Sequence, residues 1–294
     1  MGEEDWKESR RVRLTVIKSF ICFYHTLFMK LAVQEGLVPG DTFLERLVNA
    51  EKIGFKGIEV GGRGLKDRVH EIKEALSSSK IGVSTICTGY SGCLLSPDKS
   101  ERDRAMNDIK LLLEIAREIG AVGLIVVPIF GPPQLPDLTP LLTVRELEEK
   151  LLLEELRILA KVAEDNQAYI LLEPLNRYET HFLNRLEDAL KICREVNSEY
   201  VKIMADFFHM NIEEKDIAES LEKALPDLRH IHLADSNRYA PGFGHTDFLK
   251  PFKVLAKGGY KYFMALECRI PEPRGENLKR IFSFLNSLIL KAAK

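Results

Sequence analysis

Glutamine is almost missing from these 294 residues, occurring only at Gln34, Gln134 and Gln167. With charged residues at 29%, that shortage hints at a thermophile. An excess of one charge is missing too. The chain has 42 Lys and Arg against 44 Asp and Glu, a net charge of −2, which offers nothing to a polyanion such as nucleic acid. Paired cysteine motifs are absent. The five cysteines (22, 87, 93, 193 and 268) are odd in number, form no CxxC, and mostly sit in apolar runs. They point to a reduced, intracellular protein, and the expected location is the cytoplasm. An uninterrupted membrane span is lacking as well. Arg10, Arg11 and Arg13 precede the apolar-looking "LTVIKSFICFYHTLFMKLAV", but Lys18, His25 and Lys30 break it and no small-residue cleavage site follows. This stretch reads as a first strand and an aromatic loop, and no membrane partner is expected.

What is present is enough apolar side chain, 45%, for one large core. The expectation is a single domain over 1–294, with 1–11 as a flexible N-terminal extension. Short apolar runs alternate with longer amphipathic stretches. Strand candidates are 12–18, "GIEVG" (57–61), "GVSTICTG" (82–89), "VGLIVVP" (122–128), "AYILLEP" (168–174), "VKIMAD" (201–206), "RHIHLAD" (229–235) and "KYFMALE" (261–267). All are short and rich in aliphatic and β-branched residues, as buried parallel strands are. Helices are expected over 41–52, 101–119, 143–164, 185–196, 216–225, 248–257 and 276–293. Their signals include the capping box Thr143-Val-Arg-Glu146 and the stop at Gly120. Eight strands alternating with about eight helices predict a (β/α)8 TIM barrel. A doubly wound sheet is the alternative, and no GxGxxG follows the first strand to favour it. The connections 19–40 and "PIFGPPQLPDLTPLL" are long enough to be lids or pocket walls on the catalytic face.

A barrel interior is normally filled by branched apolar side chains, so a charge at a strand's last residue calls for a reason. Four consecutive strands show such a residue: strands 5, 6 and 8 end on Glu173, Asp206 and Glu267, and strand 7 carries His232 near its end. In a closed barrel they converge at the top mouth. Three carboxylates held together repel one another, and a divalent cation removes that cost. Three acids and one imidazole suit Mn²⁺ first, with Co²⁺ and Mg²⁺ as alternatives, better than a thiolate-rich zinc site. One such ion is expected. His230 shares a strand face with His232 but lies one layer deeper, so it reads as a supporting core histidine.

"EPLNRYET" (173–180), "DFFHMNIEE" (206–214), "HLADSNRYAPGFGHTDF" (232–248), "ALEC" (265–268) and "SPDKSERDRAM" (96–106) together resemble the ketose 3-epimerases. These are the D-tagatose/D-psicose 3-epimerases of the xylose-isomerase-like barrels, and a keto-sugar-acid epimerase subgroup has similar segments. The resemblance implies that Glu173, Asp206, His232 and Glu267 bind the metal, and that Glu173 and Glu267 also form the acid/base pair. It implies that Glu179, His209 and Arg238 hold the O1–O3 end of an open-chain sugar. Phe207 stands where a small Thr is common in the family, and is expected to bear on which sugar fits. The implied reaction inverts C3, next to the ketone, through a cis-enediolate.

That chemistry suits the residues. One base cannot easily reach both faces of a carbon, whereas two carboxylates from different strands can flank it. The alternatives are an aldose–ketose or hydroxypyruvate-type isomerase on the same metal site, a keto-polyol dehydratase, and an abasic-site endonuclease. The last wants a histidine-rich zinc cluster and a basic groove, and this chain has only seven histidines. Asp247 is expected to cap the helix that follows it. Asp235 and Asn237 should bond loop backbone, and Gly242 and Gly244 should supply turns. With no Lys or Arg between 239 and 249, the expected substrate is an unphosphorylated sugar. A homo-oligomer, dimer or tetramer, is the expected assembly.

Overall fold

The computed structural model describes residues 29–294. Eight parallel strands close into a barrel in chain order, with β1 paired to both β2 and β8. They are β1 (Lys30–Gln34), β2 (Gly57–Gly61), β3 (Gly82–Cys87), β4 (Gly123–Val126), β5 (Tyr169–Leu172), β6 (Val201–Asp206), β7 (Leu228–Leu233) and β8 (Phe263–Leu266). The barrel expected from the alternation is therefore the observed fold.

The first strand is the main correction. It runs over Lys30–Gln34, inside what the sequence pattern assigned to a loop over 19–40. The expected strand at 12–18, the extension 1–11 and His25 lie outside the described residues. β1 carries only Leu31, Ala32 and Val33 as apolar residues, too short a run to outcompete the branched stretch upstream on pattern alone. Register decides its place: Ala32, Val33 and Gln34 pair with Gly57, Ile58 and Glu59.

Nine α-helices surround the barrel among the described residues: α1 (Phe43–Ile53), α2 (Val69–Ser77), α3 (Lys99–Ile119), α4 (Val144–Asn166), α5 (Leu186–Val196), α6 (Phe207–Glu213), α7 (Ile217–Ala224), α8 (Leu249–Lys257) and α9 (Arg274–Ala292). The Thr143/Glu146 capping box forms, and Gly120 ends α3 with φ +69°. Asp247 accepts from the backbone N–H of Leu249 at 2.9 Å and so opens α8, as expected. Helices α2 and α6 had no counterpart in the pattern reading, being only nine and seven residues long. No helix among the described residues is long and apolar enough to cross a membrane.

The main apolar core lies between barrel and helices. It is filled by outward strand residues such as Ile58, Val60, Ile170, Ile203, Ile231 and Met264 against helix residues such as Leu47, Leu112, Leu156 and Phe252. The lumen is divided differently. Ile125, Leu171 and Met204 from β4, β5 and β6 form a small separate apolar cluster. The opposite sector is polar: Glu59 of β2, Thr85 of β3 and His230 and His232 of β7 are all buried and touch one another across the barrel. Carboxylates are rarely buried this fully unless paired.

Candidate metal centre and active site

The quartet named by the strand-end rule comes together. Glu173, Asp206, His232 and Glu267 each offer one ligand atom, and all four atoms lie within 4.8 Å of one another. Glu173 directly follows β5, its N–H bonded to the Val126 carbonyl at 3.1 Å. Glu267 directly follows β8, tied through its N–H to the Leu233 carbonyl at 3.4 Å. Backbone hydrogen bonds of the sheet therefore set where both carboxylates emerge.

Asp206 ends β6 and at the same time caps α6. Its Oδ1 accepts from the N–H groups of Phe208 (2.7 Å) and His209 (3.3 Å). Capping fixes the side-chain rotamer. The second oxygen, Oδ2, then points into the cluster, 3.7 Å from His232 Nδ1.

His232 is fully buried and its two ring nitrogens face different surroundings. Nε2 lies 3.0 and 3.1 Å from the two oxygens of Glu59. Nδ1 faces the three other carboxylates: Glu267 Oε2 at 2.8 Å, Glu173 Oε1 at 3.7 Å and Asp206 Oδ2 at 3.7 Å. Despite that proximity Nδ1 makes no hydrogen bond, because the nearest oxygen lies out of line with it. A buried nitrogen that faces three carboxylates without bonding any of them suits a shared cation. The donor set of three oxygens and one imidazole nitrogen is that of a hard or borderline divalent ion. The residues present thus fit a metal.

The charges around the quartet are unequal. Burial pushes Glu173 above the usual carboxylate range, only partly opposed by His232. Burial acts on Glu267 in the same direction, but His232 and Arg238 beside it prevail and hold it low. On His232, burial disfavours the imidazolium, yet Glu59 and Glu267 outweigh it and raise its pKa.

Arg238 spans the mouth, Nη1 on Asp206 Oδ2 and Nη2 on Glu267 Oε2, both at 2.5 Å. Its backbone is left-handed, φ +63°, held by Arg238 N–H to the Asp235 carbonyl (2.9 Å) and by Arg269 N–H to its own carbonyl (2.8 Å). The guanidinium carbon also lies 4.9 Å from the Phe208 ring centre. His209 is buried beside the quartet. Its Nδ1 accepts from Asn176, whose side-chain nitrogen is 2.7 Å away and backbone nitrogen 3.2 Å. The proton is therefore on Nε2, 4.0 Å from Asp206 Oδ2. Asn176 Nδ2 also donates to Glu179 Oε1 at 2.9 Å, which joins Glu179 to His209.

Arg177, the cation beside Glu179 in sequence, pairs instead with Glu213 at 2.9 Å. Phe207 does not face the mouth. It is fully buried in the outer core, stacked on Phe248 with ring centres 5.7 Å apart and tilted against Phe252. It fills volume between α6 and α8 and does not line the mouth where the expectation had placed its effect. Asp235 organises the β7–α8 loop: Oδ1 accepts from Ser236 N–H (2.8 Å) and Thr246 N–H (3.0 Å), and Oδ2 from Gly242 N–H (2.9 Å). A Cβ at Gly244 would meet Asp235 Oδ1 at 2.3 Å, so glycine is required there. Since an internal carboxylate takes these amides, they do not form a phosphate cradle. His181 is bonded to Glu148 at 2.8 Å and to the Gly131 carbonyl at 2.9 Å, away from the quartet.

Two residues of the site escaped the strand-end rule. Asn176 sits inside the quoted "EPLNRYET" motif, but its amide carried no signal of its own. Glu59 sits in the middle of "GIEVG", where a polar residue reads as ordinary strand alternation.

Residues 47–288 match the family described as Xylose isomerase-like TIM barrel. The chain belongs to that family. A 3-dehydro-D-guloside 4-epimerase from Escherichia coli (strain K12) is 34% identical over 244 residues, which cover 82% of this chain and 93% of the relative. A D-psicose 3-epimerase from Enterocloster bolteae is 46% identical over 112 residues, 38% of this chain and 37% of the relative. Among solved structures, apo 3-keto-D-glucoside 4-epimerase from E. coli superposes with a TM-score of 0.80 at 32% identity, covering 88% of this chain and 99% of that one. The relatives are epimerases, and the chain is an enzyme of that class, an isomerase.

Proposed function

We propose that this barrel is a metal-dependent epimerase that inverts the carbinol carbon next to the ketone of a sugar. The observation that carries the reading is the convergence of Glu173, Asp206, Glu267 and the unbonded His232 Nδ1 on one point of the barrel mouth. These four residues would hold one divalent ion, with Mn²⁺ the first candidate and Co²⁺ or Mg²⁺ the others. The bound ion would supply Lewis-acid polarisation of the ketone and its neighbouring hydroxyl.

The chain's own residues do the proton work. Glu173 and Glu267 come from β5 and β8 and approach the mouth from different sides. One carboxylate takes the proton from the carbon and the other returns one to the opposite face. Arg238 and His209 Nε2–H donate hydrogen bonds to the oxygens on which enediolate charge develops. Asn176 keeps His209 in the tautomer that can donate, and Glu179 closes that side of the site.

For the substrate, two related classes come into question. The 3-epimerase resemblance favours C3 of a free ketose or keto-sugar acid. The relative aligned over 93% of its length favours C4 of a 3-keto glycoside, with the ketone held in a ring. In both, the inverted carbon is adjacent to the ketone. The loop held by Asp235 leaves no free amide cradle for a phosphate, which supports an unphosphorylated sugar.

The test is incubation of Mn²⁺-loaded protein in D₂O with ketohexoses, keto-hexonates and 3-keto glycosides. One substrate class should gain deuterium at the carbon beside the ketone and yield its epimer, with no aldose formed. An aldose product would assign the carbonyl-moving isomerase instead, and no deuterium uptake from any candidate would refute the proposal.

A further inference from the structure

Glu59 is one of the most enclosed charged groups among the described residues, with its side chain fully shielded from solvent. Donors from three other strands converge on it. Gln34 Nε2 of β1 donates to Oε1 at 3.0 Å. Thr85 Oγ1 of β3 donates to Oε2 at 2.5 Å. From β7, His232 Nε2 lies 3.0 and 3.1 Å from the two oxygens, and His230 Nε2 lies 2.8 Å from Oε2. Burying a carboxylate is costly, and this one is retained with every oxygen engaged.

Hydrogen-bond polarity gives the arrangement its consequence. An ionised carboxylate only accepts, so a ring nitrogen bonded to it must carry the proton. A histidine that binds a metal ion must be neutral, and a neutral imidazole protonated on Nε2 has its lone pair on Nδ1. The His232 Nδ1 is the atom that faces Glu173, Asp206 and Glu267 without a hydrogen bond of its own.

We propose that Glu59 is the positioning residue of the metal centre: through His232 Nε2 it fixes the ring's orientation and tautomer so that Nδ1 is presented bare to the ion. This deepens the proposed function and rests on it. Glu59 is not a member of the Glu173, Asp206, His232 and Glu267 quartet, and in this reading it acts on the ion only through His232. Its place is set in turn by Gln34, paired with it in register across β1 and β2, and by Thr85. His230 is then a supporting residue that shares the same acceptor. Its ring packs edge to face on His232, with centres 5.1 Å apart and planes at 85°.

The experiment strips wild-type and Glu59→Gln protein with a chelator and titrates each with Mn²⁺, reading the free ion by electron paramagnetic resonance. Glu59→Gln should bind Mn²⁺ about 10–100-fold more weakly, the usual cost of losing such a partner, while the stripped protein keeps its melting temperature within a few degrees. A folded Glu59→Gln that binds within twofold of wild type overturns the inference. A second measurement needs no variant. In Mg²⁺-loaded wild type, ¹⁵N spectra of the histidine rings should place the His232 proton on Nε2, and a proton on Nδ1 would overturn the inference. The two readings separate cleanly. Wild-type protein that binds no Mn²⁺ refutes the proposed function itself, whereas equal binding by wild type and variant refutes only the role of Glu59.

Discussion

Arg238 Nη2 sits 2.5 Å from Glu267 Oε2, in the same fork that reaches Asp206 with Nη1. The planar guanidinium meets two carboxylates from β6 and β8, the strands on either side of β7, at fixed spacing, which a single ammonium cannot do. Arg238→Lys should therefore keep the positive charge and the fold but lose kcat/KM by about 10²-fold, the typical cost of one charge-stabilising donor. Steady-state kinetics beside a thermal melt check this. A lysine variant with wild-type turnover would remove Arg238 from the site's chemistry.

Glu173 and Glu267 make separate predictions as the acid/base pair. Glu267→Gln and Glu173→Gln keep the size of the side chain and remove its ability to take a proton. Each should cut turnover about 10²–10⁴-fold while substrate still binds. The discriminating measurement is binding by calorimetry alongside turnover. A variant that binds substrate and turns over normally is not the residue that moves the proton.

Much of this site was legible in the sequence, for a definable reason. A polar residue at the end of an apolar strand stands out, and Glu173, Asp206 and Glu267, with His232 one residue before the end of β7, do so at the same end of consecutive strands. Closure of the barrel turns four positions spread over 95 residues into one cluster. Asp206 and His209 sorted as well, because a capping carboxylate puts the residue three further on inside the first turn of α6. Glu59 was not legible. It lies 173 residues from His232, in mid-strand, and only barrel closure places the two side by side. Strand β1 failed for a related reason: three apolar residues carry too little pattern, and pairing with β2 and β8 selects them. Phe207 marks the opposite failure. A departure from a family's usual residue suggested the pocket, whereas the aromatic packs outward into the helix layer.

Away from the site, Glu155 on α4 predicts a pH effect on stability. Burial pushes its carboxyl up to about 8, and Arg102, 3.5 Å away, offsets this only in part. That guanidinium is already donating to the Ser96 carbonyl at 2.7 Å, and Glu155 Oε2 is buried without a hydrogen bond. A carboxyl with a raised folded pKa holds a proton that the unfolded chain has released. Stability should thus fall as pH rises from about 4.5 to about 8, with the full penalty above that. Glu155→Gln should melt higher than wild type at pH 8.5, by about 2–4 °C for each kcal/mol recovered, and the two should converge near pH 4.5. Parallel melting curves across that range would contradict the assignment.

The most direct test of a metal-dependent epimerase is a stoichiometric one. Chelator-stripped protein is titrated with Mn²⁺ while epimer formation is followed on whichever substrate exchanges deuterium. Activity should be absent at the start, rise in proportion to bound ion, and level off at one ion per chain, with Asp206→Asn staying inactive at that loading. Full activity in the stripped protein, or saturation without any activity, would contradict a single metal centre built from Glu173, Asp206, His232 and Glu267.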